Sequence, residues 1–96
     1  MIASFGDAAT EALYNRESSA RVRRFPPDVV RAAVRKLDQL QAAIRLEDLR
    51  MPPGNRLEAL KGDRRGQHSI RVNDQFRIVF RWENDQAHGV SLVDYH

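Results

Sequence analysis

Phe76-Arg77-Ile78-Val79-Phe80-Arg81-Trp82 alternates large apolar and mostly cationic side chains. Successive side chains of a strand face opposite sides, so Phe76, Ile78, Phe80 and Trp82 form one apolar face and Arg77, Val79 and Arg81 the other. The neighbouring segments extend this strand into a sheet. His68 to Val72 precedes it across Asn73-Asp74-Gln75, a short hairpin turn, and puts Ile70 and Val72 on one face with Ser69 and Arg71 on the other. Glu83-Asn84-Asp85-Gln86 turns the chain again, into a strand over His88 to Val93. Upstream, breaks at Pro52-Pro53-Gly54-Asn55 and Lys61-Gly62-Asp63-Arg64-Arg65-Gly66 isolate Arg56 to Leu60 as a short first strand. The expectation is a four-strand antiparallel meander.

The apolar face needs a cover, and the N-terminal half supplies it. Pro26-Pro27-Asp28 opens a helix in which Val30, Ala33, Val34, Leu37, Leu40 and Ile44 recur every three or four residues as one buried stripe. Asp7 caps a shorter helix through Ala8 to Leu13, and the basic stretch Asn15 to Arg24 reads as an irregular connection. The fold class expected is α+β, with two N-terminal helices packed on one face of a small antiparallel sheet and one domain over residues 1–96. By parity Trp82 belongs to the core, and His68 reads as a hydrogen-bonded, partly buried histidine. His88 lies beside a turn and carries little signal.

A chain of 96 residues with no cysteine excludes a disulfide framework, a thiolate zinc site and a cysteine nucleophile, and fits a reducing compartment such as the cytoplasm. No run approaches the roughly 20 apolar residues of a membrane span. The net charge of +3 hides an uneven layout. Residues 50–81 carry eight Lys and Arg against three Asp and Glu, eight minus three or +5, whereas residues 1–49 carry +1 and residues 82–96 carry −3. An arginine-rich middle points to a polyanion such as RNA. Arg71, Arg77 and Arg81 share a strand parity and can form a cationic floor on the uncovered sheet face; alternatively they are surface charges balanced by Glu58, Asp63 or Asp85. The three scattered histidines have no metal-binding spacing, and there is no phosphate-loop or dinucleotide fingerprint. The reading therefore includes no cofactor.

The chain closes on Asp94-Tyr95-His96 directly after Val90-Ser91-Leu92-Val93, so three side chains capable of acid–base chemistry finish a strand. Strict alternation cannot aim Tyr95 and both its neighbours at one face, so either the terminus bends or only part of the triplet acts. The Pro52 to Leu57 segment, Leu60-Lys61-Gly62-Asp63-Arg64, Gly66 to Asn73, Gln75-Phe76-Arg77 and Val93-Asp94-Tyr95-His96 together resemble the HigB branch of the RelE-like toxins. That resemblance covers nearly the whole chain. It implies a compact α+β ribonuclease that enters the ribosomal A site of the 30S subunit and cleaves the translated mRNA. It also implies neutralisation by a helix-turn-helix, HigA-like antitoxin, through which operator DNA is engaged.

In the best-known HigB pattern a histidine lies three residues before the lysine of the Leu-Lys-Gly-Asp-Arg element. Here that position is Glu58, which either acts as a base itself or leaves a weaker enzyme. A non-catalytic module that binds RNA or the antitoxin is the alternative. The chemistry implied is metal-independent attack of an RNA 2′-hydroxyl on its own adjacent phosphate. His96 is the acid–base candidate, because an unperturbed imidazole titrates at about pH 6.5. Asp94 would orient it, Tyr95 would stack on a base or bond the hydroxyl, and Arg77 and Lys61 would steady the phosphate charge. Arg56, Arg64, Arg65, Arg71 and Arg81 would hold the RNA backbone. The antitoxin is expected on the helical side or at Asn15 to Arg24.

Overall fold

The computed structural model of the protein describes residues 1–95. Helix α1 (Ala8–Tyr14) starts where the Asp7 carboxylate accepts from the Thr10 amide at 2.7 Å. Within the stretch expected to be irregular, Ser19 caps a single helical turn, α2 (Ala20–Arg23). Helix α3 (Pro27–Ala42) begins with Pro27, whose fixed φ suits a first helical turn and whose missing N–H costs nothing there. The helical layer thus has three members rather than two.

The α3 stripe is rotated from the expected one. Val29, Ala33, Leu37 and Leu40 are buried, Val30 and Val34 are only half-buried, and Ile44 is 74% exposed. Ile44 leaves the stripe because the helix stops two residues earlier. The Asp48 carboxylate accepts from the Ile44 and Arg45 amides at 2.9 and 3.0 Å, which turns the chain into a 3₁₀ helix over Leu46–Arg50. Those two backbone bonds hold the Asp48 carboxyl below its ordinary range.

Four antiparallel strands form a sheet in the order β1 (Glu58–Ala59), β2 (Gln67–Arg71), β3 (Phe76–Glu83) and β4 (Gln86–Asp94). The first strand is two residues long, not five, because Arg56 adopts a left-handed conformation (φ 47°) at the end of a 3₁₀ turn over Pro53–Asn55. At the β2–β3 turn the Asn73 side chain accepts from the Gln75 and Phe76 amides. The β3–β4 turn places Asn84 and Asp85 both at positive φ, the geometry that suits the right-handed twist of a two-residue hairpin. Between Val79↔Ser91 and Arg81↔His88 the register slips by one residue, with Gly89 at φ +63° taking up the extra length in β4. This bulge keeps Val90 and Ala87 both fully buried.

Ile70, Ile78, Phe80, Val90 and Leu92 on one face of the sheet meet Leu13, Val29, Leu37 and Leu40 from the helices. Trp82 is half-buried and meets Phe80 edge-on, at the margin of this core rather than inside it. The first six residues lie parallel to β4 along its outer edge. Ala3 N–H donates to Ala87 O, Gly6 N–H to Val90 O, Ala87 N–H to Met1 O and Val90 N–H to Ser4 O, all between 2.7 and 3.1 Å. An edge that could otherwise pair with another chain is thereby covered.

Candidate active site

The second face of the sheet is built from the residues that alternate with the core. In register, Arg71 faces Arg77, Ser69 faces Val79, Glu58 faces Ser69 and Val93 faces Arg77. Arg77 is the centre of this face. Its Nε donates to Ser69 Oγ at 2.7 Å and its Nη2 to the Arg56 carbonyl at 2.7 Å, while Glu58 Oε1 lies 3.3 Å from Nη2. The left-handed turn at Arg56 aims that carbonyl inward. The Tyr95 ring covers the guanidinium, 5.8 Å from Cζ to the ring centroid. With these partners the Arg77 side chain is only 13% exposed, against 52% for Glu58.

Glu58, Arg77 and Tyr95 are therefore brought together, with Nη1 of Arg77 free of protein acceptors among the described residues. The other expected site residues are more scattered. Asp94 turns to the opposite side, where it accepts from Gln75 Nε2 at 3.0 Å, so alternation through β4 separates it from Tyr95. Tyr95 keeps its place because its amide donates to the Gln75 carbonyl at 2.7 Å. Lys61, Arg64 and Arg65 are exposed around the 3₁₀ turn Gly62–Arg64. His96 lies outside the described residues.

Of the two readings of the arginines, a cationic floor or charges balanced by carboxylates, these contacts favour the second. Arg71 is paired with Asp74, Arg77 with Glu58, and Arg81 Nε approaches Glu83 at 3.9 Å. The carboxylates come from the adjacent turn, the edge strand and the same strand, so two of the three partners lie outside the set named from sequence. Exposed pairs of the Arg71 and Arg81 kind are worth little and can be exchanged for phosphate. Arg77, by contrast, is held from several sides.

A recess of about 120 Å³ adjoins Glu58 and is lined by Leu46, Glu47, Arg50, Leu57, Ala59 and His68. His68 is half-buried as expected and stacks on Phe80 at 6.2 Å. Its buried Nδ1, however, has no hydrogen-bond partner among the described residues. His88 Nε2–H donates to the Glu83 carbonyl, 3.2 Å away, beside the turn.

Two supporting residues escaped the sequence reading. Ser69 is fully buried, and only its strand parity with Arg71 and Arg77 signalled its place. Asn55 is also fully buried and ties the segment before β1 to α3. Its Nδ2 donates to Gln39 Oε1 and the Leu49 carbonyl at 3.1 Å and to the Met51 carbonyl at 3.3 Å, and its Oδ1 accepts from Lys36 Nζ. Burial, with Arg35 and Arg71 nearby, holds the Lys36 ammonium below its ordinary pKa. Asn55 thus fixes the position of Arg56, whose carbonyl grips Arg77.

Among the described residues no three histidine, aspartate or glutamate side chains are grouped closely enough to hold a metal ion, and no helix is long and apolar enough to cross a membrane. Comparison with known proteins places this architecture. Residues 3–96 match the model of the HigB-like toxin family, described as the RelE-like toxin of the type II toxin–antitoxin system HigB. Toxin HigB-1 of Vibrio cholerae serotype O1 is 43% identical over 95 residues, spanning 99% of this chain and 94% of that protein. An uncharacterised protein of Haemophilus influenzae is 36% identical over 69 residues, 72% of this chain and 68% of its own. In structure, the chain superposes on a chain of the YoeB-YefM complex from Staphylococcus aureus with a TM-score of 0.61 at 16% identity, covering 100% of this chain and 98% of that one. The last likeness is one of fold. Family match and full-length identity together make this chain a member of the RelE-like HigB toxins of type II toxin–antitoxin systems.

Proposed function

We propose that this toxin is a ribosome-dependent mRNA endoribonuclease, acting as one domain in the cytoplasm. The observation that supports the reading best is the Glu58, Arg77 and Tyr95 cluster on the sheet face away from the helices, with Glu58 and Arg77 drawn from the most basic part of the chain. In the proposed step an RNA 2′-oxygen forms a bond to the adjacent phosphorus while the bond to the 5′-oxygen breaks. Glu58 takes the 2′-proton, His96 gives a proton to the departing 5′-oxygen, and a 2′,3′-cyclic phosphate remains. Arg77 Nη1 and Lys61 meet the charge that gathers on the phosphate oxygens, a role for which prepositioned donors are effective. Tyr95 offers a ring on which a base can stack, and Asp94, held by Gln75, sets the direction in which the chain approaches residue 96. Arg56, Arg64, Arg65, Arg71 and Arg81 hold the strand. No metal or other cofactor takes part in this reading.

A second reading has its own support. Arg77 is already engaged by Glu58, Ser69 and the Arg56 carbonyl, and a guanidinium so occupied suits a chain that binds the ribosome without efficient cutting. Mapping of mRNA 5′ ends in programmed ribosomes separates the two. Cuts in the A site that survive chelator and disappear in His96→Ala and Glu58→Gln support the enzyme. Ribosome binding and translation arrest with intact mRNA would establish the binder instead.

In either case the partner expected from the family is an antitoxin. The proposed one is a helix-turn-helix protein that neutralises the toxin and carries the complex to operator DNA.

A further inference from the structure

The recess beside Glu58 mixes aliphatic and polar walls. It lies between β1 and the 3₁₀ helix Leu46–Arg50. Its volume of about 120 Å³ suits one flat ring rather than a drug-sized ligand, whose pockets run to roughly 300–1,000 Å³. Leu46, Leu57 and Ala59 supply the aliphatic walls. Glu47 and Arg50 stand three residues apart in the 3₁₀ helix, where side chains at that spacing eclipse, yet neither is in an ion pair among the described residues. His68 lies across from Ala59 in the β1–β2 register and brings an imidazole whose buried Nδ1 has no partner among the described residues. A phenylalanine would stack on Phe80 from that position without leaving a polar atom unserved, so packing alone does not call for histidine.

We propose that this recess is a base-binding subsite for the RNA and that it selects guanine. The inference rests on the endoribonuclease reading above and adds a specificity to it. Two carboxylates, Glu47 and Glu58, against the one guanidinium of Arg50 leave the recess net negative. That charge turns away a phosphate, so the part of an RNA that fits here is a base. Guanine presents adjacent donors at N1 and the 2-amino group, which match the two oxygens of the Glu47 carboxylate, and acceptors at O6 and N7, which match Arg50. Adenine has an acceptor at N1 and no 2-amino group, so the same carboxylate would meet a lone pair. Cytosine and uracil each bring a single donor group to that edge. The aliphatic walls take the faces of the ring. His68, with Nδ1 unpartnered, is free to carry its proton on either nitrogen and so to donate or accept as the base requires. Glu58 joins the recess to the site, because it lines the one and lies 3.3 Å from Arg77 Nη2 in the other. In the step above Glu58 takes the proton of the attacking 2′-hydroxyl. The base held beside it therefore belongs to the nucleotide that carries this hydroxyl, on the 5′ side of the cut.

The test uses the full chain with programmed ribosomes and a set of messages that differ only in the base 5′ to the mapped cut: guanine, adenine, cytosine, uracil or hypoxanthine, which is guanine without its 2-amino group. Single-turnover cleavage is expected to be at least tenfold faster with guanine than with adenine, the discrimination of one good bidentate contact, with hypoxanthine between them. Glu47→Gln offers one acceptor in place of two, and Ala59→Leu fills the recess from an exposed position. Each is expected to lower the guanine-to-adenine ratio at least fivefold, with the melting temperature of Ala59→Leu preserved. Equal rates for all the bases, preference for another base, or a guanine preference that both variants retain would overturn the subsite and keep the endoribonuclease. Absence of cuts in every message with the wild-type chain would overturn both. The comparison of bases on the wild-type chain needs no variant, so the subsite can be refuted even where a substitution unfolds the protein.

Discussion

Replacing Asn55 with Ala is expected to destabilise the protein and to disarm it at the same time. Asn55 is fully buried and serves Leu49 O, Met51 O, Gln39 Oε1 and Lys36 Nζ through one amide group. Truncation leaves the buried Leu49 carbonyl without its donor, a loss of about 1–3 kcal/mol. It also removes the acceptor of an ammonium already disfavoured by its surroundings, and opens a small void. A total of about 3 kcal/mol is a large share of the 5–15 kcal/mol typical of a domain. For a chain of this length that corresponds to a fall in Tm of about 12–24 °C. Chemical denaturation of wild type and Asn55→Ala measures the cost directly, with the urea slope checking that the unfolded state is unchanged. Asn55→Asp retains the Oδ1 that meets Lys36 but turns an acceptor-only oxygen on the Leu49 and Met51 carbonyls, so it should not recover the loss. A cost below about 0.5 kcal/mol for Asn55→Ala, within the range of ordinary surface substitutions, would refute the reasoning. So would a destabilised variant whose activity at low temperature equals that of wild type, because Arg56 could not then depend on Asn55 for its hold on Arg77.

Other substitutions probe separate joints of the structure. Arg77→Lys keeps the charge but loses the fork that reaches Ser69, Arg56 O and Glu58 together; mRNA cleavage is expected to fall about a hundredfold, roughly 2.7 kcal/mol of barrier, and equal rates would remove Arg77 from the site. Thr10 is buried and its Oγ1 accepts from the Leu92 amide at 2.9 Å, so Thr10→Val should cost about 1–3 kcal/mol in equilibrium unfolding. A Cβ on Gly6 would sit 2.2 Å from Ser91 Oγ and 2.8 Å from the Gly89 carbonyl; Gly6→Ala should therefore accelerate exchange of the Ala87 and Val90 amides, which pair with the first residues. Asp48 adds stability above its ordinary carboxylate pKa of 3.8 and loses it as pH falls through the lower folded value. The difference in melting temperature between wild type and Asp48→Asn should accordingly shrink on acidification below pH 3.8.

The sheet was legible because its strands alternate and its turns carry their own chemistry. Asn73 and Asn84-Asp85 mark the two hairpins before any coordinate is known, and Asp7 marks the start of α1. The end of α3 was not legible, since Ile44 continues the apolar period and only the Asp48 carboxylate, four residues on, diverts the chain. Nor was the N-terminal cover of β4, which has too short and too weak a pattern to read as a strand and gains its bonds from residues 84 to 86 positions away. At the site, parity brought Arg77 and Ser69 to one face, but the partners of the arginines depend on rotamers and on the left-handed turn at Arg56. The family resemblance carried Tyr95 and Asp94, and the strand geometry then separated them.

The parallel pairing of residues 1–6 with β4 also sets how the protein responds to force. When residues 1 and 95 are drawn apart, the four hydrogen bonds between these segments run across the direction of pull and must give way together in shear. The β3–β4 hairpin, in contrast, can be peeled open one bond at a time from its free end. A proteolytic motor that grips both termini therefore meets a clamp, while one that enters through an internal loop meets a zipper. Mechanical lifetime is governed by the unfolding rate rather than by equilibrium stability, so destruction of this toxin by a motor depends on where it takes hold.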